Sequence, residues 1–160
     1  MSADTARPSL FTFAGGEPAL LALATAHHAR CLADPELNHP FSKEDQHPQH
    51  VERLAVYWGE VLGGPSAYSD SCGDQTGVLT MHSGNGDISD LGKRFVSCFA
   101  LALDDAGLPT DREFRAAMIA YMRWAVDDVL VYSLTDAAVP DGAGMPRWGW
   151  DGLEDASQPE

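Results

Sequence analysis

The stretch from Thr110 to Tyr132 restricts the fold more than any other part of the chain. Phe114, Met118, Tyr121, Met122, Ala125, Val129 and Tyr132 recur at helical steps, which places them on one stripe of an α-helix. Thr110 with Glu113 three residues later has the capping-box pattern that opens a helix. A helix with one apolar face must bury that face against other elements. Three more segments can supply partners. Pro18 to Ala33 is rich in Ala and Leu and follows the break Gly15-Gly16. It ends near Asp34-Pro35, where Asp34 caps a short turn and Pro35 takes its first position. Pro48 to Leu62 carries Leu54, Tyr57, Trp58 and Val61 on one face and stops at Gly63-Gly64-Pro65. From Asp87 or Ser89 to about Asp105, one face holds Leu91, Phe95, Cys98, Phe99 and Ala102, and Gly107 and Pro109 end the segment. Ser66 to Gly77 reads as mostly loop. Four main helices with little strand pattern make an all-α fold.

A chain of 160 residues fits one domain and can bury a core without disulfide or structural metal. Its hydrophobic fraction of 44% is that of a globular protein. No apolar run is long enough to span a membrane, and the segment MSADTARPSL has no apolar core of a secretion signal. Cys31, Cys72 and Cys98 are an odd set without close spacing, which fits free thiols in a reducing cytoplasm. A formal charge of −14 disfavours nucleic acid and anionic membranes, whose phosphates it repels. The acidic tail DGLEDASQPE is expected to be disordered.

The candidate chemistry lies in six histidines: His27, His28, His39, His47, His50 and His82. His50 stands one turn before Leu54 on the same face, so it borders the core. His28 sits late in the Ala/Leu-rich helix and is expected to be largely buried. His82 ends the apolar turn Val78-Leu79-Thr80-Met81 and precedes Ser83-Gly84-Asn85-Gly86, a position suited to a ligand projecting into a cavity. Zinc on His47, His50 and His82 is one reading, but HExxH and paired cysteines are missing, and His47 before Pro48 belongs to a helix cap. A nucleophile at Ser69 or Cys72 is another, though neither lies on a nucleophile-elbow motif. Haem uses the most residues. It needs an axial imidazole, an apolar slot and a cation or hydroxyl for its propionates. The chain offers His82; Phe41, Leu54, Phe95, Phe99 and Met118; and Arg53 and Tyr68.

From about Gly15 to Val129 the sequence resembles the truncated haemoglobins, in particular their second group. The resemblance rests on ordered features: Gly15-Gly16 before the first long helix, "DPEL…HPF", "ERL" with "YWGEVLGGPSAYS", "LTMH", "RFVSCF" and the YMRWAV helix. The GGPxxYS stretch with a histidine beyond it is the most specific of these. The resemblance implies a two-over-two helical sandwich around haem b over residues 15–135, with extensions at 1–14 and 136–160, the latter partly disordered. It makes His82 the proximal iron ligand and places Phe41 against the haem. It sets Arg53 and Tyr68 beside the propionates, and Leu54 and His50 on the distal side. His28 stands where the group has a ligand-bonding tyrosine, His27 replaces a neighbouring aromatic, and Phe95 stands near a usual tryptophan. Both usual donors are thus replaced. The spacing from Pro65 to His82 is one longer than usual, with the extra residue expected within 71–77. Trp148 and Trp150 are expected to pack on the surface of the globin core.

What the resemblance implies in function is reversible binding of O2, or of CO or NO, at a ferrous haem iron. The same distal histidines could serve a haem oxidoreductase, peroxidase-like or nitric-oxide-detoxifying, fed by a separate reductase because no flavin or nicotinamide motif is present. A haem-free sensor or interaction module is a third class, which stoichiometric haem in the purified protein would exclude.

Overall fold

Helices form where the apolar periods run, and the breaks fall at glycine, aspartate and proline. A computed structural model describes residues 7–37, 49–82, 89–133 and 144–154, with the backbone alone at 80–82 and 133. Its helices are α1 (Leu10–Ala14), α2 (Glu17–Ala33), α3 (His50–Val61), α4 (Ala67–Ser71), α5 (Gln75–His82), α6 (Ser89–Asp105) and α7 (Arg112–Ser133). A hairpin follows, β1 (Trp148–Gly149) paired antiparallel with β2 (Gly152–Leu153). Helix α2 packs on α3 and on α6, α6 packs on α7, and α5 also lies against α7. The core between them holds Leu20, Leu23, Trp58, Phe99, Phe114, Met118 and Tyr121. Among the described residues no helix is long and apolar enough to cross a membrane.

Three details depart from the sequence reading. Helix α7 is capped by Asp111 rather than Thr110: Asp111 Oδ1 accepts from the Phe114 amide at 2.9 Å, while Glu113 faces outward and pairs with Arg7 at 2.7 Å. An aspartate one residue nearer the helix is the better-placed cap, so the capping box does not form. The segment expected to be mostly loop, Ser66 to Gly77, contains α4 and the start of α5. The reason is side-chain support that residue type alone does not reveal, described below. Trp148 is a core residue rather than a surface one, 8% exposed, and its indole N–H donates to the Ala117 carbonyl at 3.0 Å. Trp150 packs edge-on against Phe13, donates to the Pro8 carbonyl at 2.9 Å and lies under the Arg7 guanidinium. The C-terminal hairpin thereby ties α7 to the segment before α1.

The turn after Asp34 forms as the sequence predicts: its carboxylate accepts from the amides of Glu36 and Leu37 at 2.8 and 3.2 Å. Two glycines set backbone approach. Gly63 ends α3 at φ 101°, a conformation that favours glycine, with Ser9 against it. Gly92 lets α6 cross α7 closely, because a Cβ there would meet Val126 at 2.6 Å.

Candidate functional site

Helices α2 and α3 bring two imidazoles together. His28 and His50, the latter the first residue of α3, have ring centroids 5.6 Å apart with planes at 59°. His50 Nε2 is shielded from solvent, and Leu54, one turn on, packs half-buried against the core. Burial lowers the His28 pKa, so a neutral ring with one donor and one acceptor is favoured there.

The deeply buried histidine is His27, not His28, which is half-buried. Helical rotation of about 100° per residue separates the two side chains, so only one of the adjacent pair can enter the core. His27 packs edge-on against Phe95 with centroids 4.3 Å apart and also meets Trp58 and Phe99. Its Nε2 lies 3.1 Å from the Phe95 carbonyl and 3.7 Å from Cys31 Sγ. A carbonyl only accepts, so that nitrogen carries the proton. Burial brings the His27 pKa down to about 4, and the bond to Phe95 opposes only part of that shift. His27 is therefore a neutral core residue that holds α2 to α6.

A polar stripe on α3 grips the segment beyond it. Arg53 donates to the Cys72 carbonyl at 3.0 Å, and its positive charge opposes part of the rise that burial gives the Tyr68 phenol pKa. Tyr57 donates its hydroxyl to Gln75 Oε1 at 2.6 Å. Glu60, 2% exposed, accepts from the amide and hydroxyl of Ser69 at 2.9 and 2.5 Å. Arg53, Tyr57 and Glu60 follow one another at helical spacing, so one edge of α3 holds three points of 66–75. Burial raises the phenol pKa of both Tyr57 and Tyr68, and both remain hydroxyl donors at neutral pH. Tyr68 is 6% exposed and stacks edge-on with Tyr57. Sequence reading takes Tyr57 only as part of the apolar face and misses Glu60 and Gln75. Glu60 gives a weak signal, a polar group on the flank of that face, whereas Gln75 lies in a segment that reads as loop. Ser69, weighed as a nucleophile, gives its hydroxyl to Glu60.

Helix α5 starts under the Asp74 cap, whose Oδ1 accepts from the Gly77 amide at 2.8 Å. Leu79, 3% exposed, buries its inner face. His82 is its last residue. Phe95 is half-buried and touches both apolar clusters, whereas Met118 is fully buried in the main core. His39, Phe41 and His47 lie outside the described residues.

The helices α2, α3, α6 and α7 with imidazoles gathered on α2 and α3 define an all-α helical sandwich of globin type. A family model described as bacterial-like globin matches residues 9–128, and the chain belongs to that family. Among solved structures it is similar to a thermostable haemoglobin from Thermobifida fusca, 25% identical over 77% of this chain and 97% of that one, with a TM-score of 0.63. Haemoglobin from Chloroflexus aurantiacus is 24% identical over 77% and 98%, TM-score 0.65. The group II truncated haemoglobin from Bacillus anthracis is 17% identical over 86% and 98%, TM-score 0.67. The latter two likenesses are ones of fold. No curated protein matches. Globin membership implies a haem cofactor, and the residues suit one: a shielded imidazole nitrogen on α3 and a second ring beside it are the donor chemistry that haem iron takes.

Proposed function

We propose that the protein binds a diatomic ligand, oxygen foremost, reversibly at haem b in the cytoplasm, with His82 as the residue that would hold the iron. When bound, haem supplies the iron centre that accepts such a ligand. His82, the last residue of α5, would hold it through one ring nitrogen, and a hydrogen bond from the other would fix the tautomer. His50 and His28 would donate hydrogen bonds to a bound ligand bearing partial negative charge, worth roughly 1 to 3 kcal/mol. Leu54, Phe95, Met118 and Phe41 would supply apolar contact to the haem. Arg53 and Tyr68 would hold its propionates. A guanidinium has five N–H donors, so one that is braced on the Cys72 carbonyl can still grip a carboxylate, with less rotamer freedom left to lose.

The observation that carries this reading is the convergence of His28 and His50 from separate helices. The test is the absorption spectrum of the purified, reduced protein before and after carbon monoxide. A stoichiometric haem spectrum that shifts to that of a carbon monoxide adduct supports the reading. A protein that takes up no haem overturns it.

The same pair favours one second reading, a haem oxidoreductase of peroxidase-like or nitric-oxide-detoxifying type supplied by a separate reductase. A half-buried imidazole with a lowered pKa beside a second imidazole can take a proton from one substrate atom and return it to another. Turnover of peroxide with a simple electron donor distinguishes this reading from plain ligand binding.

A further inference from the structure

Helix α5 has eight residues, too few to be stable or well oriented by itself. Its direction must come from what holds its ends and its inner face. At the N-terminal end the structure shows two ties: the Asp74 cap, and the bond from Tyr57 on α3 to Gln75, the first residue of α5. The Gln75 side chain is 5% exposed, so water competes little for that bond. Arg53 fixes Cys72 three residues earlier.

We propose that Tyr57 and Gln75 are positioning residues for His82: their hydrogen bond fixes the start of α5 to α3, and the short helix carries that constraint to its last residue. This rests on the reading of His82 as the axial ligand. Gln75 and His82 are about 10 Å apart along a helix rising roughly 1.5 Å per residue. A tilt of about 10° at Gln75 moves the far end by about 2 Å by that lever. A metal-ligating constellation tolerates roughly 0.5 Å. With Leu79 holding the inner face of α5, the anchor at its start limits the remaining tilt and so helps to decide whether an imidazole at its end meets the iron in one geometry or several. The anchor comes from the helix that begins with His50, so the bond also couples the distal and proximal sides.

The test uses Tyr57→Phe, which keeps the ring and removes the hydroxyl, with Gln75→Leu and the conservative Gln75→Glu, all as reconstituted haem protein. The iron–histidine stretching band of the ferrous form is recorded by resonance Raman spectroscopy, together with amide exchange across α5. Tyr57→Phe and Gln75→Leu are expected to shift and broaden the band and to speed exchange in α5 roughly fivefold, the factor of one neutral hydrogen bond. The double variant should match either single one, and Gln75→Glu, still an acceptor for Tyr57, should keep the parent band. A band unchanged in Tyr57→Phe and Gln75→Leu, even with lowered stability, overturns the inference and leaves the bond a purely structural one. His82→Gly separates the two levels. If the band survives in that variant, the axial assignment itself fails and the inference with it. If the band is lost there but is indifferent to Tyr57 and Gln75, only the inference fails.

Discussion

His27 makes the stability of this protein depend on pH in a way that one substitution can remove. Its folded pKa is lowered to about 4 from an ordinary 6.5, with burial as the largest cause. The native state therefore holds His27 neutral where the unfolded chain would protonate it. The stability this contributes is fully present above the unfolded value and is lost as pH falls toward the folded one. Each pH unit in that window is about 1.36 kcal/mol, so the parent loses about 2 kcal/mol between pH 7 and 5 through this group, and about 3 by pH 4. His27→Phe fits a site walled by Phe95, Trp58 and Phe99 and abolishes the titration. It also leaves the Phe95 carbonyl without the imidazole donor, a cost of about 1 kcal/mol or more. The variant should thus be less stable than the parent at pH 7 and more stable at pH 4.5. Urea unfolding of both proteins from pH 4 to 8 gives the difference directly, and the other histidines, present in both, largely cancel. A stability difference that stays constant across that range would refute the burial of a neutral imidazole at 27.

Trp148→Ala should cost about 3–5 kcal/mol in urea unfolding, as expected for emptying a buried indole, and Trp148→Phe about 1 through the lost bond to Ala117; a cost near zero for both would mean that the C-terminal hairpin does not close the core. Arg53→Ala should speed haem release, with the gap narrowing at high salt; an unchanged rate at low salt removes Arg53 as a propionate anchor. His50→Leu should raise the oxygen dissociation rate about tenfold, equivalent to roughly 1.4 kcal/mol of lost hydrogen bonding. If His50 instead binds the iron, the deoxy ferrous protein is low-spin and the same variant turns it high-spin. Equal oxygen release from the parent, His50→Leu and His28→Leu, all high-spin, would leave both histidines as packing.

The helices were legible where apolar period and breaker residues agree, as in α2, α3, α6 and α7. Asp34 was legible as a cap because aspartate followed by proline has few other uses. The cap of α7 was misplaced by one residue, since Thr110 and Asp111 are both good caps and only the backbone path decides between them. Helices α4 and α5 were invisible as a pair because long-range partners stabilise them: Glu60 on Ser69, Tyr57 on Gln75 and Arg53 on Cys72. No local pattern contains those contacts. The adjacent His27 and His28 posed a similar problem. Either could have faced the core, and the rotation of α2 against Phe95 settled it. Trp148 and Trp150 lie far along the chain from the core they complete, so composition could not place them.

The claim on which the functional reading depends is that His82 holds the haem iron. His82→Gly, reconstituted with haem and reduced, should show a ferrous spectrum altered from the parent's and weaker haem retention. Added imidazole should restore the parent spectrum by entering the space that the side chain vacates. An unaltered iron–histidine spectrum in His82→Gly without imidazole would contradict the assignment.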